Sequence, residues 1–170
     1  MVVSGKKWDD LPIKWDKTER RMRKMAGLIG EYNHTIDAKG RLSVPSKFRS
    51  VLGDGFVISK GIDQCLIIYS EEEWSAFQAK LNTLPTFDDD AREVKRFFGS
   101  GSAFVEIDSH GRILVPSNLA EYAGLTKDVT IVGTTDGKAE IWDTDNWNAR
   151  EGRISPKDAV KNLFAKGISI

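Results

Sequence analysis

Short runs of alternating apolar and polar residues recur along this chain, and two sets of them share one order. Residues 32–36 and 104–107 alternate like strands, and each leads into an Asp-x-x-Gly tetrad followed by a second short run, 41–44 or 112–115. Glycine takes the positive φ that a tight turn demands and aspartate accepts the turn N–H groups, so each tetrad predicts a hairpin. Pro45 and Pro116 then end the pairing, because proline offers no N–H to a ladder and suits the first turn of a helix. The helix that follows carries Phe48, Val51 and Leu52 on one face before Gly53; in the second set Leu119, Tyr122 and Ala123 precede Gly124. Runs 56–59 with 66–69, and 129–133 with 139–142, predict a further hairpin in each set, turning at Gly61-Ile62-Asp63 and Thr135-Asp136-Gly137.

The shared order is an internal repeat. Ile36-Asp37-Ala38-Lys39-Gly40-Arg41-Leu42-Ser43-Val44-Pro45-Ser46 returns 71 residues later as Ile107-Asp108-Ser109-His110-Gly111-Arg112-Ile113-Leu114-Val115-Pro116-Ser117, identical at seven of eleven positions. After a two-residue length difference the match continues, pairing Asp63 with Asp136, Tyr69 with Trp142 and Trp74 with Trp147. The expected division is a tail over 1–27, a first repeat over 28–80, a helical connection over 81–100, a second repeat over 101–150 and a C-terminal helical segment over 151–170.

Between the repeats, Ser70-Glu71-Glu72-Glu73 reads as a capping box that opens a helix with Trp74, Phe77, Leu81 and Leu84 in an apolar stripe. A second helix starts near Asp88 and carries Ala91, Val94, Phe97 and Phe98. Both are expected to pack on the core. Residues 155–165 predict a last helix with Val160, Leu163 and Phe164 inward. Residues 1–24 lack a sustained apolar period and hold eight Lys or Arg against four Asp or Glu, so they read as a disordered tail or as an extension from a start upstream of the true one.

Composition adds limits. The 170-residue chain is 40% hydrophobic, enough for one compact domain or two small fused ones. No stretch approaches the roughly 20 apolar residues of a membrane span, and no signal-like apolar segment follows Met1, so the expectation is a soluble cytoplasmic protein. The single Cys65 lies in an apolar run and is expected to be a buried small hydrophobe. Lys plus Arg number 25, as do Asp plus Glu, which gives no overall attraction to nucleic acid. Locally the picture changes: between 37 and 49 stand Lys39, Arg41, Lys47 and Arg49 against Asp37 alone.

The arginine that follows each turn glycine is what the fold alone does not require. On a two-stranded ribbon in a major groove, the Arg41 fork can reach O6 and N7 of guanine, while Lys39 holds a phosphate. Arg41 and Arg112 can equally brace their turns by pairing with Asp37 and Asp108, and a braced fork is also a preorganised one. Lys47 and Arg49 are candidate phosphate contacts beside the first turn, or simply a solvated helix face. The second copy is poorer in cations: His110, Asn118 and Ala120 stand where Lys39, Lys47 and Arg49 do. The division of labour expected on these grounds gives DNA contact to the first repeat, and the core or a subunit interface to the second.

The segment Gly30-Glu31-Tyr32-Asn33-His34-Thr35 through Pro45 resembles the opening of the MraZ family, the first product of the bacterial division and cell-wall gene cluster. The likeness extends to Gly61-Ile62-Asp63-Gln64-Cys65-Leu66, to Arg96-Phe97-Phe98-Gly99-Ser100-Gly101, to the second Asp108–Arg112 turn and to Glu140-Ile141-Trp142. The resemblance implies an α+β chain whose tandem βαββ-type repeats form an AbrB-like, swapped-hairpin β-barrel with peripheral helices. It implies cytoplasmic, nucleoid-associated homo-oligomeric rings on direct repeats in a promoter, including that of the family's own operon. It places DNA reading at Asp37, Lys39, Gly40 and Arg41, with a second signature at Asp108, Gly111 and Arg112. No cofactor, metal or small-molecule substrate is implied.

Two other classes compete. An enzyme would need a constellation that is missing: there is no Gly-x-x-x-x-Gly-Lys loop, His-Glu-x-x-His, Gly-x-Ser-x-Gly or paired-cysteine pattern, and Asp88-Asp89-Asp90 is favourable helix-start chemistry. An AbrB-like oligomer that binds a protein instead of DNA would share every structural expectation. It would differ only in indifference to Arg41.

Overall fold

The computed structural model describes residues 28–150 and 153–169, preceded by Thr18 and by two-residue strands β1 (Val2–Val3) and β2 (Lys6–Lys7), which pair with each other. The remainder of the expected tail lies outside the described residues. The strands that follow are β3 (Glu31–Thr35), β4 (Arg41–Ser43), β5 (Gly55–Lys60), β6 (Leu66–Tyr69), β7 (Ser102–Glu106), β8 (Arg112–Leu114), β9 (Asp128–Gly133) and β10 (Ala139–Asp143). The helices are α1 (Ser46–Leu52), α2 (Glu71–Leu81), α3 (Asp89–Ser100), α4 (Ser117–Tyr122), α5 (Thr144–Arg150) and α6 (Pro156–Ala165).

Each strand forms where the apolar pattern places it, and β5-β6 and β9-β10 pair as the expected hairpins, but the strands flanking each turn exchange partners. The Asp37–Arg41 turn closes as expected, with Gly40 N donating to Asp37 O (2.9 Å) and Asp37 N to Arg41 O (3.0 Å). Beyond it the hairpin ends after a single bridge, Ile36 to Leu42. β3 pairs with β9 of the other repeat, β7 pairs with β5, and β4 pairs with β8. The result is a six-stranded antiparallel sheet in the order β3-β9-β10-β6-β5-β7 and a separate two-stranded ribbon β4-β8. The expected barrel is not closed: β3 and β7 end the large sheet, and the ribbon that follows each turn has left it.

The registers are self-complementary, which is why exchange satisfies both repeats. In the ribbon Leu42 faces its own counterpart Ile113, while Arg41 faces Leu114 and Ser43 faces Arg112. At the centre of the large sheet Ile67 faces Glu140, again equivalent positions, flanked by Leu66 with Ile141 and Ile68 with Ala139. A pseudo-twofold relation therefore runs through both pairings. Each repeat lends its first strand to the other repeat's sheet.

One core cluster spans both repeats, with Leu42, Phe48, Phe56, Ile58, Leu66 and Ile68 meeting Ile113, Leu119, Val129, Ile131 and Ile141. Leu42 and Ile113 project inward from the ribbon and are 0% and 1% exposed, so the ribbon is fastened to the core by its one inward residue on each strand. Fully burying such side chains contributes about 1.5–3 kcal/mol each.

The helices between the repeats depart from expectation. Ser70 caps α2, its Oγ accepting from Glu73 N at 3.2 Å, and Asp88 caps α3, its Oδ1 accepting from Ala91 N at 2.8 Å. Their apolar stripes do not enter the core, however: α2 has no buried residue and α3 only Ala91. Trp74, Phe77, Phe97 and Phe98 instead join Tyr69 and Tyr122 in an aromatic cluster laid over the sheet, with Phe77 stacked on Tyr69 (5.6 Å) and edge-on to Phe98 (4.9 Å). Short elements already fill the core, leaving the aromatic faces half-exposed. α6 likewise forms at its Ser155 cap without a buried residue, and Phe164 points outward at 54% exposure. The short α5, absent from the sequence reading, is the second repeat's counterpart of α2, and the Trp74–Trp147 match was its signal.

Candidate nucleic-acid interface

The β4-β8 ribbon presents one inward and one outward face. Leu42 and Ile113 are inward; Arg41 and Ser43, with Arg112 and Leu114, are outward. Arg41 and Arg112 are diagonal neighbours in this ladder, about 7–8 Å apart at the backbone for a regular antiparallel pair. A turn emerges at each end of the ribbon.

Both turns use the same wiring. Asp37 Oδ1 accepts from the backbone N–H of Lys39 (2.9 Å) and Arg41 (3.0 Å), and Oδ2 accepts from Arg41 Nε at 2.6 Å. Asp108 Oδ1 accepts from His110 N (2.8 Å) and Arg112 N (2.9 Å), and Oδ2 from Arg112 Nε at 3.0 Å. Gly40 and Gly111 adopt φ of 81° and 75°, where a side chain would be strained. The backbone N–H of the arginine is the main cause that holds each aspartate below the ordinary carboxylate value, reinforced by the guanidinium itself. The carboxylates therefore remain charged at neutral pH.

Bracing and presentation thus coexist. Each arginine is clamped through Nε, yet 37% of the Arg41 and 29% of the Arg112 side chain remains exposed on the outward face. A fork fixed at Nε with its outer edge facing solvent is a preorganised donor for a planar acceptor pair, such as a guanine edge or a phosphate.

The remaining candidates are not all brought to one turn. Lys39 is exposed on the first turn, and Lys47 is exposed at the start of α1. Arg49, expected beside the first turn, lies over the second: a methyl group added at Gly111 would come within 2.8 Å of Arg49 Cζ. The first turn glycine, Gly40, is approached instead by the Leu114 side chain, 3.6 Å from such a group. Strand exchange is the cause. Val44 N donates to Gly111 O (3.0 Å) and Val115 N to Gly40 O (2.8 Å), so the helix after each strand starts beside the opposite repeat's turn. No reading of local sequence reveals that crossing.

Elsewhere the chemistry is quiet. Cys65 is 1% exposed, and burial, with lesser contributions from Glu140 and Asp63, pushes its thiol up to about 12. It is held as an inert protonated side chain at neutral pH. Burial also lowers the pKa of His34. Among the described residues, no group of His, Cys, Asp and Glu is arranged to hold a metal ion, and no helix is long and apolar enough to cross a membrane.

The duplicated architecture has counterparts. The chain is 54% identical over 141 residues to a transcriptional regulator MraZ of Acetivibrio thermocellus, covering 82% of this chain and 98% of that one. It is 52% identical over 120 residues to one of Thermoanaerobacter pseudethanolicus (71% and 83%) and 51% over 119 residues to one of Alkaliphilus metalliredigens (70% and 82%). The family model of the MraZ protein matches twice in tandem, over residues 28–97 and 98–163. With both turns, both repeats and most of the chain accounted for in this way, the protein belongs to the MraZ family.

Proposed function

We propose that this protein is a transcription regulator that binds duplex DNA through the outward face of the β4-β8 ribbon and its two turns. The observation that carries the reading is the pair of aspartate-clamped, solvent-facing arginines on a two-stranded ribbon. A ribbon of this kind fits a major groove, where a fork reads guanine and flanking cations hold phosphates. The name borne by its relatives, transcriptional regulator, supports the same reading.

In this proposal Arg41 reads bases, and Lys39, Lys47 and Arg49 hold the backbone. The partner is a set of short direct repeats in a promoter, including the one upstream of the protein's own gene, and the site of action is the cytoplasm, at the nucleoid. The exchanged strands support reading the fold as an AbrB-like swapped-hairpin unit, in which two repeats of one chain stand where two subunits would. Subunits join into a ring, so that neighbouring ribbons engage successive repeats and bend the DNA along the assembly. Affinity then rises by effective concentration without further contacts. The chain acts by binding, not by catalysis.

An electrophoretic shift with duplexes bearing one or several repeats tests this. Tight, salt-sensitive binding that strengthens with repeat number is expected. Equal binding to a single repeat removes the in-register ring, and no binding to either leaves an interaction module that engages a protein.

A further inference from the structure

Resting on the reading of the ribbon as a DNA contact, we infer that the second turn is a full phosphate-binding partner of the first, and that its missing cation is supplied by Arg49 from the first repeat. By sequence alone the second turn has lost its lysine, since His110 occupies the place of Lys39. The strand exchange restores it. α1 begins beside the second turn, anchored by the Val44–Gly111 hydrogen bond, and its Arg49 guanidinium covers Gly111, which is buried beneath it. In the mirrored relation α4 begins beside the first turn, but Ala120 stands where Arg49 does and brings no charge.

Counting each turn's own residues and the side chain laid on its glycine, each turn therefore has two cations and one carboxylate. The first has Lys39 and Arg41 with Asp37, both cations its own; the second has Arg112 of its own and Arg49 from the other repeat, with Asp108. The match is functional, not structural, in origin. Gly40 holds its positive φ with no arginine over it, so covering a turn glycine does not require a guanidinium. Arg49 is also an exposed residue, so the side chain that reaches over Gly111 is open to solvent and to a phosphate at this turn. The two ends of the ribbon thus present equivalent charge to the two strands of a duplex, through different residues.

The test is a salt titration of full-length protein on a fluorescent duplex carrying the direct repeats and on a shuffled duplex, with thermal melting as a fold control. Arg49→Ala is expected to lower the slope of log affinity against log salt by about 0.9 for each engaged subunit, alike on both duplexes. Arg49→Ala/His110→Lys, which returns a cation to the second turn without restoring the packing on Gly111, is expected to recover the slope. Recovery separates a lost charge from a damaged fold even if Arg49→Ala melts lower. A wild-type slope in Arg49→Ala, with a lowered slope in Lys39→Ala, overturns the inference while leaving the ribbon as a DNA contact. Failure of the double variant to recover also overturns it. If Lys39→Ala and Arg41→Ala bind like wild type as well, the reading of the ribbon falls and the inference with it.

Discussion

The turn at Asp37–Arg41 and the turn at Asp108–Arg112 share each of their carboxylate hydrogen bonds but differ in the side chains laid against them. One carries its own lysine and faces Leu114; the other carries His110 and lies under Arg49. What repeats is the device that fixes an arginine fork: a carboxylate, a glycine of positive φ and a strand leaving in the right direction. What varies is the source of the second cation. A duplicated unit whose halves exchange strands need not be judged half by half, because each helix serves the opposite turn.

The comparison predicts, first and most strongly, that the repeats do not unfold separately. Phe48 and Leu119, equivalent in sequence, are 0% and 1% exposed in one shared core. Phe48→Ala should cost about 3–5 kcal/mol and Leu119→Ala about 2–5 kcal/mol. Both should shift a single cooperative urea transition, seen alike by circular dichroism and tryptophan fluorescence. Two separable transitions would break the account of exchanged strands.

Next in size is base reading. Arg41→Ala and Arg112→Ala should each cost about 1–3 kcal/mol of discrimination between the direct repeats and a shuffled sequence. Equal losses sharpen the equivalence of the two turns, whereas a loss confined to Arg41 leaves base reading to the first repeat and only phosphate contact to the second. Smaller still is Lys47→Ala, which should weaken all sequences alike and flatten the salt slope by about 0.9 per contact.

The smallest expected effect is that of pH. Asp37 and Asp108 both titrate below the ordinary value of 3.8, so folding favours their charged forms. What the clamps contribute is present above that value and is lost as pH falls through the depressed folded values. DNA affinity should then change little through either clamp between about pH 8 and 5. A marked change of affinity within that range would contradict it.

Much of this was legible locally. Strand positions, turn glycines and helix caps follow from alternation, from Asp-x-x-Gly and from Ser70, Asp88 and Ser155, because each depends on a few adjacent residues. Pairing partners were legible for the hairpins β5-β6 and β9-β10, but not for the strands that flank each Asp-x-x-Gly turn. Leu42 satisfies the same apolar pattern whether it faces Ile36 along a hairpin or Ile113 across the pseudo-twofold, and period-two alternation is blind to which strand supplies the ladder. The same blindness reaches the site, since a helix placed after its own hairpin puts Arg49 near Lys39, and a helix placed after an exchanged strand puts it over Gly111. The stripe on α2 correctly marked a helix but not its depth, because aromatic residues can bury themselves against one another on a sheet without entering the core.

The central claim is that the two turn tips touch duplex DNA, and photo-crosslinking tests it most directly. A benzophenone side chain placed at Ala38, and separately at its counterpart Ser109, both exposed at their tips, would be irradiated with the direct-repeat duplex bound. The account predicts that both positions crosslink to DNA. Crosslinks from Ala38 to a neighbouring subunit, or to nothing, would contradict it.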